Sequence, residues 1–225
     1  MSLPLPKKIW CFGDSLTTGS TFIEGRKAFS PYTAFLEELY KAKSSADEVP
    51  HILNHGVSGE TSNEIATRFQ TSAEINIAPE DAVVILCGTT DVVVLGNAAA
   101  EEVIKRITYM AEAVVAAKAA LVLVTVPPMS AYHERKSVDS RAQRKQINAH
   151  IKALVASLPR CTCFDLYTAI STEVELKGKA KAAVKRTCLV VREEFSVDSI
   201  HFTVEGYQVL AQGVFDAIGT VMARK

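Results

Sequence analysis

Ile9-Trp10-Cys11-Phe12-Gly13-Asp14-Ser15-Leu16 is the stretch on which the reading of this chain turns. Four apolar residues, enough for one short strand, stop at Gly13-Asp14, and a serine follows at once. A strand that breaks sharply into a helix presents the residue at the break, and the helix N-terminus beyond favours negative charge developing beside it. A serine hydroxyl is a poor nucleophile until the backbone presents it and a base takes its proton. Gly13-Asp14-Ser15-Leu16 alone is a weak signal, since four residues recur by chance. Near the other end, however, Asp198-Ser199-Ile200-His201 places a carboxylate and an imidazole one helical turn apart. Together the two segments point to Ser-His-Asp chemistry, with the serine first in the chain and the Asp-His pair last.

Outward from that turn, short apolar runs alternate with longer segments of helical period. Strands are expected at residues 9–12, 51–55, 82–87, 120–126 and 161–166. Val103, Ile104, Ile107, Met110, Ala111, Val114 and Val115 make one apolar stripe, and Ile147, Ile151, Leu154, Val155 and Leu158 make another. Ser30-Pro31 reads as an N-cap followed by proline at the first helical position, Asn97 precedes an alanine-rich start, and Thr203 opens a last helix. Such alternation predicts an α/β fold, a parallel sheet covered by helices. No repeat, low-complexity tract or linker divides the 225 residues, so residues 1–225 are expected to form one domain with a large core. The charged stretch 171–192 is expected to be a solvated loop and helix face, with a lid or a patch for anionic substrates as the functional alternative.

Composition removes several classes of function. Lys and Arg number 25 and Asp and Glu 25, a balance that argues against a nucleic-acid partner. No apolar run approaches the roughly 20 residues of a membrane-spanning helix. Pro4 and Pro6 fall where a signal peptide would have its apolar core, so a cytoplasmic location is expected. An odd number of cysteines, five, fits that compartment, with Cys11 and Cys87 in apolar strand-like runs as buried thiols. Cys161-Thr162-Cys163 has one residue between its sulfurs, not the two to four of a zinc knuckle, and no metal is expected. Without a glycine-rich dinucleotide turn or a phosphate-binding lysine loop, no nucleotide or other cofactor is expected either.

Taken singly, Ser15 reads equally as an N-cap, His201 as a core histidine near a helix start and Asp198 as a turn residue. Taken jointly they meet the needs of hydrolysis, because a parallel sheet brings the C-terminal ends of its strands to one edge where distant loops converge. Two middle segments fall at equivalent places. Asn54-His55-Gly56-Val57-Ser58-Gly59-Glu60-Thr61 follows the second strand, and Gly88-Thr89-Thr90-Asp91 follows the third. A glycine there lets the backbone approach a ligand closely and aim its N–H at it.

In these blocks the chain resembles the SGNH hydrolases of the GDSL esterase/lipase family, whose order is Gly-Asp-Ser, then Gly, then Gly-x-Asn-Asp, then Asp-x-x-His. Pro127-Pro128 after the fourth strand and His201-Phe202-Thr203-Val204-Glu205-Gly206-Tyr207 agree with it. The resemblance spans Gly13 to His201 and implies a three-layer α/β/α sandwich with a flavodoxin-like five-stranded parallel sheet. It implies Ser15 as nucleophile, His201 as base, Asp198 as its orienter, and the Ser15 and Gly59 amides as oxyanion donors. The third block departs from the family. Thr90 stands where the family has the asparagine that supplies a third oxyanion donor. A threonine hydroxyl can donate, directly or through a water, but it is shorter and its hydrogen can rotate to another acceptor. Asn97 is a candidate substitute.

Asp91 matches the family's aspartate and is expected to fix its loop by bonding backbone amides, as Asp14 is expected to hold its turn. His55 is expected to be structural, with pocket lining as the alternative; His51, His133 and His150 show no metal-ligand spacing. The resemblance implies a serine esterase acting through an acyl-enzyme on a small-molecule ester: acetyl or short-acyl esters, thioesters or lysolipids. Two rivals stand beside it, a weakly active or purely binding protein owing to Thr90, and an acyltransferase.

Overall fold

A computed structural model of the chain describes residues 5–45, 48–136, 138–176 and 186–224. In chain order its elements are β1 (Lys8–Gly13), α1 (Ser15–Thr18), β2 (Ser20–Ile23), β3 (Arg26–Phe29), α2 (Tyr32–Lys43), β4 (His51–Gly56), α3 (Ser62–Thr71), β5 (Ala82–Leu86) and α4 (Thr89–Val94). They continue with α5 (Ala99–Ala116), β6 (Ala120–Val124), α6 (Ala131–Lys136), α7 (Val138–Ser157), β7 (Cys161–Phe164), α8 (Leu166–Ala169), β8 (Ser171–Leu176), β9 (Arg186–Val191) and α9 (Val204–Met222). Among the described residues no helix is long and apolar enough to cross a membrane.

Five strands form one sheet in the order β4-β1-β5-β6-β7, every pair parallel. The second strand of the sheet lies outside the first and the remainder run outward on the other side, which is the flavodoxin-like order. Side chains alternate between the faces, as the two-residue period of a strand requires. From β1, Trp10 and Phe12 enter the layer built with Ile65, Val103, Ile107, Met110 and Ile147 of α3, α5 and α7. Ile9 and Cys11 enter the opposite layer, with Leu36 and Tyr40 of α2 and Leu210, Val214 and Ile218 of α9. The result is helix–sheet–helix in three layers. Cys11 and Cys87 are buried free thiols, and burial pushes that of Cys11 up to about 12.

Several boundaries differ from the expectation. The strands at 82–87, 120–126 and 161–166 each stop one or two residues early, because the chain there turns toward the loops of one sheet edge. Pro31 itself, not Ser30, is the cap residue of α2, and Asn97 sits in a single 3-10 turn ahead of α5 rather than capping it. The cap of α5 comes instead from a different helix: Gln143 Oε1 of α7 accepts from the Ala100 amide at 2.7 Å. Thr203 does cap α9, its hydroxyl accepting from the Gly206 amide at 3.2 Å.

The stretch 171–192 is corrected more substantially. Its described parts form an antiparallel hairpin of β8 and β9, in register from Ser171 opposite Val191 to Glu175 opposite Thr187, and not a helix face. The alternation Thr172-Glu173-Val174-Glu175 and the run Leu189-Val190-Val191 are strand patterns that the density of charge obscured. The lysine-rich part, 177–185, lies outside the described residues. A second unexpected hairpin pairs β2 with β3 around Glu24 and Gly25, both at positive φ (51° and 76°), the turn geometry that suits a twisted hairpin.

Gly13 closes β1 opposite Gly56 on one side and Leu86 on the other, and the chain then folds straight back into α1. A Cβ at this position would stand 2.2 Å from Thr17 Oγ1 and 2.4 Å from the Leu86 carbonyl oxygen. Gly13→Ala is therefore expected to cost about 1–3 kcal/mol or more, since neither the helix nor the central strand can yield cheaply. Thermal unfolding should show the midpoint lower by several degrees, and an unchanged midpoint would mean that the turn has slack.

Candidate active site

Asp14 ends the strand and begins the helix. Its Oδ1 accepts from the Leu16 amide at 3.0 Å, satisfying one free N–H of α1, and Gly19 closes that single turn in a left-handed conformation. Ser15, the first residue of the turn, is thereby held at the C-terminal edge of the sheet.

The histidine arrives on a loop that its own aspartate shapes. Asp198 Oδ1 accepts from the amides of Ile200 and His201, each at 2.7 Å, and Val197 N–H returns to the His201 carbonyl at 3.1 Å. The other carboxylate oxygen, Oδ2, lies 2.7 Å from His201 Nδ1. Because an ionised carboxylate only accepts, Nδ1 carries a proton, and in the neutral imidazole the Nε2 lone pair then faces Ser15 Oγ at 2.9 Å. Burial pushes the Asp198 carboxyl up, but the bonds from the His201 ring and from the His201 and Ile200 amides outweigh it and hold the group at about 2. This segment is clamped to the β2–β3 hairpin. Thr21 Oγ1 donates to the Phe202 carbonyl and the Tyr207 hydroxyl to the Ser20 carbonyl, both at 2.7 Å.

Gly59 lies at φ +87° in the loop between β4 and α3. Val57 N–H donates to the Gly13 carbonyl at 3.1 Å, so the loop hangs directly beside the serine turn. Its far end is fixed by Asp91, whose carboxylate accepts from the Ser62 amide at 2.8 Å and the Ser62 hydroxyl at 2.6 Å. Asp91 thus fixes a loop, as expected, although the amide it bonds belongs to the neighbouring one. Thr90 stands in the first turn of α4, after Gly88 at φ +113°. Its hydroxyl points to Asp14 Oδ2 at 3.5 Å, a long contact. Burial raises the Asp14 carboxyl to about 6, against the opposing pull of the Leu16 and Thr90 amides.

Ser15, Gly59, Thr90, Asp198 and His201 all line one cleft of about 630 Å³. The structure therefore brings every expected site residue to one place. Asn97 does not line this cleft and is exposed, so it is no stand-in for the absent asparagine amide. His55 does not line it either. Its ring stacks on Trp10 and Phe12, and burial together with the nearby Arg68 charge lowers its pKa. A larger groove of about 850 Å³, lined by Leu5, Tyr40, Val49, Phe215, Ile218 and Met222 among others, opens near the starts of β1 and β4, away from these groups. Among the described residues, no three His, Cys, Asp or Glu side chains gather as they would around a metal ion. What sequence reasoning missed is the wall of the cleft: Phe22, Lys27 and Phe29 from the hairpin and Val93 from α4. Only the Glu24-Gly25 pair, with a glycine suited to the positive φ of a tight hairpin turn, could have signalled the hairpin.

Chemically, this is an imidazole held in one tautomer with its free lone pair on a serine hydroxyl, beside a loop whose glycine can turn its amide toward a ligand. Residues 11–209 match the GDSL-like lipase/acylhydrolase family. No curated protein matches the chain. Among solved structures, a lipase/acylhydrolase from Enterococcus faecalis aligns with a TM-score of 0.70 at 22% identity, covering 95% of this chain and 96% of that one. Est24, a carbohydrate acetylesterase from Sinorhizobium meliloti, gives 0.66 at 18%, covering 95% and 99%. An aryl esterase from M. smegmatis gives 0.67 at 18%, covering 96% and 99%. At these identities the likeness is one of fold.

The two site carboxylates give stability opposite dependences on pH. Asp198, lowered to about 2, contributes stability above the unfolded value of about 4, and that contribution disappears as pH falls toward 2. Asp14, raised to about 6, binds its proton more tightly when folded, so its contribution is full below about 4 and is lost as pH rises through 6. Asp14→Asn keeps a side-chain acceptor for Leu16 and removes the titration. Its melting midpoint should gain on that of the native protein between pH 4 and 7, and parallel midpoint curves would show that Asp14 does not titrate in that window.

Proposed function

The chain belongs to the GDSL-like lipase/acylhydrolase family, and from that premise we propose that it is a serine esterase hydrolysing small carboxylic esters through an acyl-enzyme on Ser15. The observation that supports this reading is the unbroken chain Asp198–His201–Ser15, with contacts of 2.7 and 2.9 Å. His201 Nε2 takes the hydroxyl proton as Ser15 Oγ attacks the ester carbonyl, and Asp198 stabilises the imidazolium that forms. The Ser15 and Gly59 amides receive the developing oxyanion. Collapse expels the alcohol, which takes the proton from His201. A water then repeats the sequence in reverse roles and frees the acid. No metal or organic cofactor is required.

Acetyl and other short-acyl esters are the proposed substrates, a choice in keeping with the carbohydrate acetylesterase and aryl esterase among the structural neighbours. Thioesters and lysolipids fit the same chemistry. Thr90 favours a second, slower version of this reading. Its hydroxyl is turned toward Asp14, so the oxyanion rests on two amides where the family has three donors. Loss of one such donor typically costs about 10² to 10³ in turnover. An acyltransferase, which would hand the acyl group to an alcohol instead of water, differs only in the acceptor.

A fluorophosphonate should label Ser15, and Ser15→Ala should lose the label and about 10⁴-fold or more in kcat while its melting midpoint holds. Full activity of Ser15→Ala would remove the serine from the reaction.

Thr90→Asn should restore a donor that acts on charge present only in the transition state. It is expected to raise kcat on a small acetate ester by about tenfold or more with little change in KM. Unchanged turnover on esters of two sizes would deny position 90 an oxyanion role.

A further inference from the structure

The wall opposite the reacting groups is formed by residues that the proposed chemistry does not use. In the β2–β3 hairpin, Phe22 pairs with Lys27 and Ser20 with Phe29, so these four side chains share one face. All four line the cleft that holds Ser15, and Val93 lines it from α4. Phe22, Phe29 and Val93 are 38%, 67% and 47% exposed. Clustered around a concave site, they offer an apolar bed to a ligand. Lys27 adds a cation to the same bed. Among the described residues lining the cleft the sole carboxylate is Asp198, which pairs with His201 and not with Lys27. Lys27 therefore has no counter-ion within the site.

We propose that this wall selects esters carrying an apolar arm that ends in an anionic group, with Phe22, Phe29 and Val93 packing the arm and Lys27 pairing with the anion. The inference rests on the esterase reading and narrows it to a substrate class. Lys27 is a specificity residue in this scheme and takes no part in proton transfer. It acts equally on bound substrate and transition state, so its effect belongs in KM.

Matched ester pairs test it and also show which side of the ester carries the anion. On the acyl side, para-nitrophenyl hexanoate is compared with the para-nitrophenyl monoester of adipic acid. On the alcohol side, the methyl ester of para-carboxyphenyl butyrate is compared with the free acid. In one of the two pairs the anionic member should have the higher kcat/KM, by about fivefold at low salt and less as ionic strength rises. Lys27→Met should erase that preference through KM, and Lys27→Glu should reverse it. Phe29→Ala should raise KM for both members of the pair. Hydrolysis of both pairs with no anionic preference, or a preference that survives Lys27→Met, would overturn the inference and leave the esterase reading intact. Absence of any Ser15-dependent hydrolysis would instead count against the esterase reading, and calorimetry then judges the wall separately. Hexanoate should bind Ser15→Ala more tightly than hexanol does, and the difference should vanish when Lys27→Met is added; equal binding of the two would overturn the proposal.

Discussion

One buried carboxylate holds the two halves of the site together. Asp14 has been taken out of water, which is costly for a charge unless donors replace the lost solvent. The Leu16 amide replaces part of it at 3.0 Å and the first turn of α4 adds a longer contact through Thr90, although burial still outweighs them and keeps the carboxyl raised. The residue before it cannot move aside, because Gly13 is packed against the Leu86 carbonyl and Thr17 with no space for a Cβ. The serine turn is thus determined from both directions, by a contact too close to loosen and by a charge too costly to leave unpaired. The placement of the Ser15 backbone at the sheet edge follows from these two facts, and its hydroxyl meets His201 there.

The remaining groups meet it because parallel strands deliver their following loops to one edge. The loops after β1, β4 and β5 are neighbours by the register of the sheet, and two hydrogen-bonded staples convert neighbourhood into geometry. Asp91 fastens the start of α3, and with it the Gly59 loop, to α4. The hydroxyls of Thr21 and Tyr207 fasten the histidine loop and α9 to the β2–β3 hairpin. The hairpin is consequently both a wall of the cleft and part of the support that keeps the imidazole in place.

Much of this was legible in the chain itself. The five strands of the central sheet were readable because their apolar runs are short and bounded. The serine, histidine and aspartate were readable because they sit at breaks in those patterns. What escaped notice was the pair of hairpins. β2 and β3 are only four residues each and half exposed, so neither gives a strong periodic signal. β8 alternates and β9 ends in an apolar run, but the intervening lysines dominate any reading by charge. The role of Thr90 was legible only as a departure from a pattern. Its actual partner, Asp14, is 76 positions away and follows from tertiary packing, which no local rule reports. The cap of α5 escaped for the same reason, since Asn97 was the local choice and Gln143 the real one.

That borrowed cap bears on how the molecule comes together. Ala98 leads into α5, which begins with Ala99 and Ala100, residues that propagate a helix well but have no side-chain acceptor to cap one. By taking the acceptor for its Ala100 amide from α7, 43 residues further along the chain, α5 makes the capping of its first turn conditional on a helix synthesised later. The two helices cover the same face of the sheet, and α5 lacks this cap until α7 has docked against it. Assembly of that layer is therefore a joint event, in which a single glutamine side chain links the local order of one helix to the global closure of the fold.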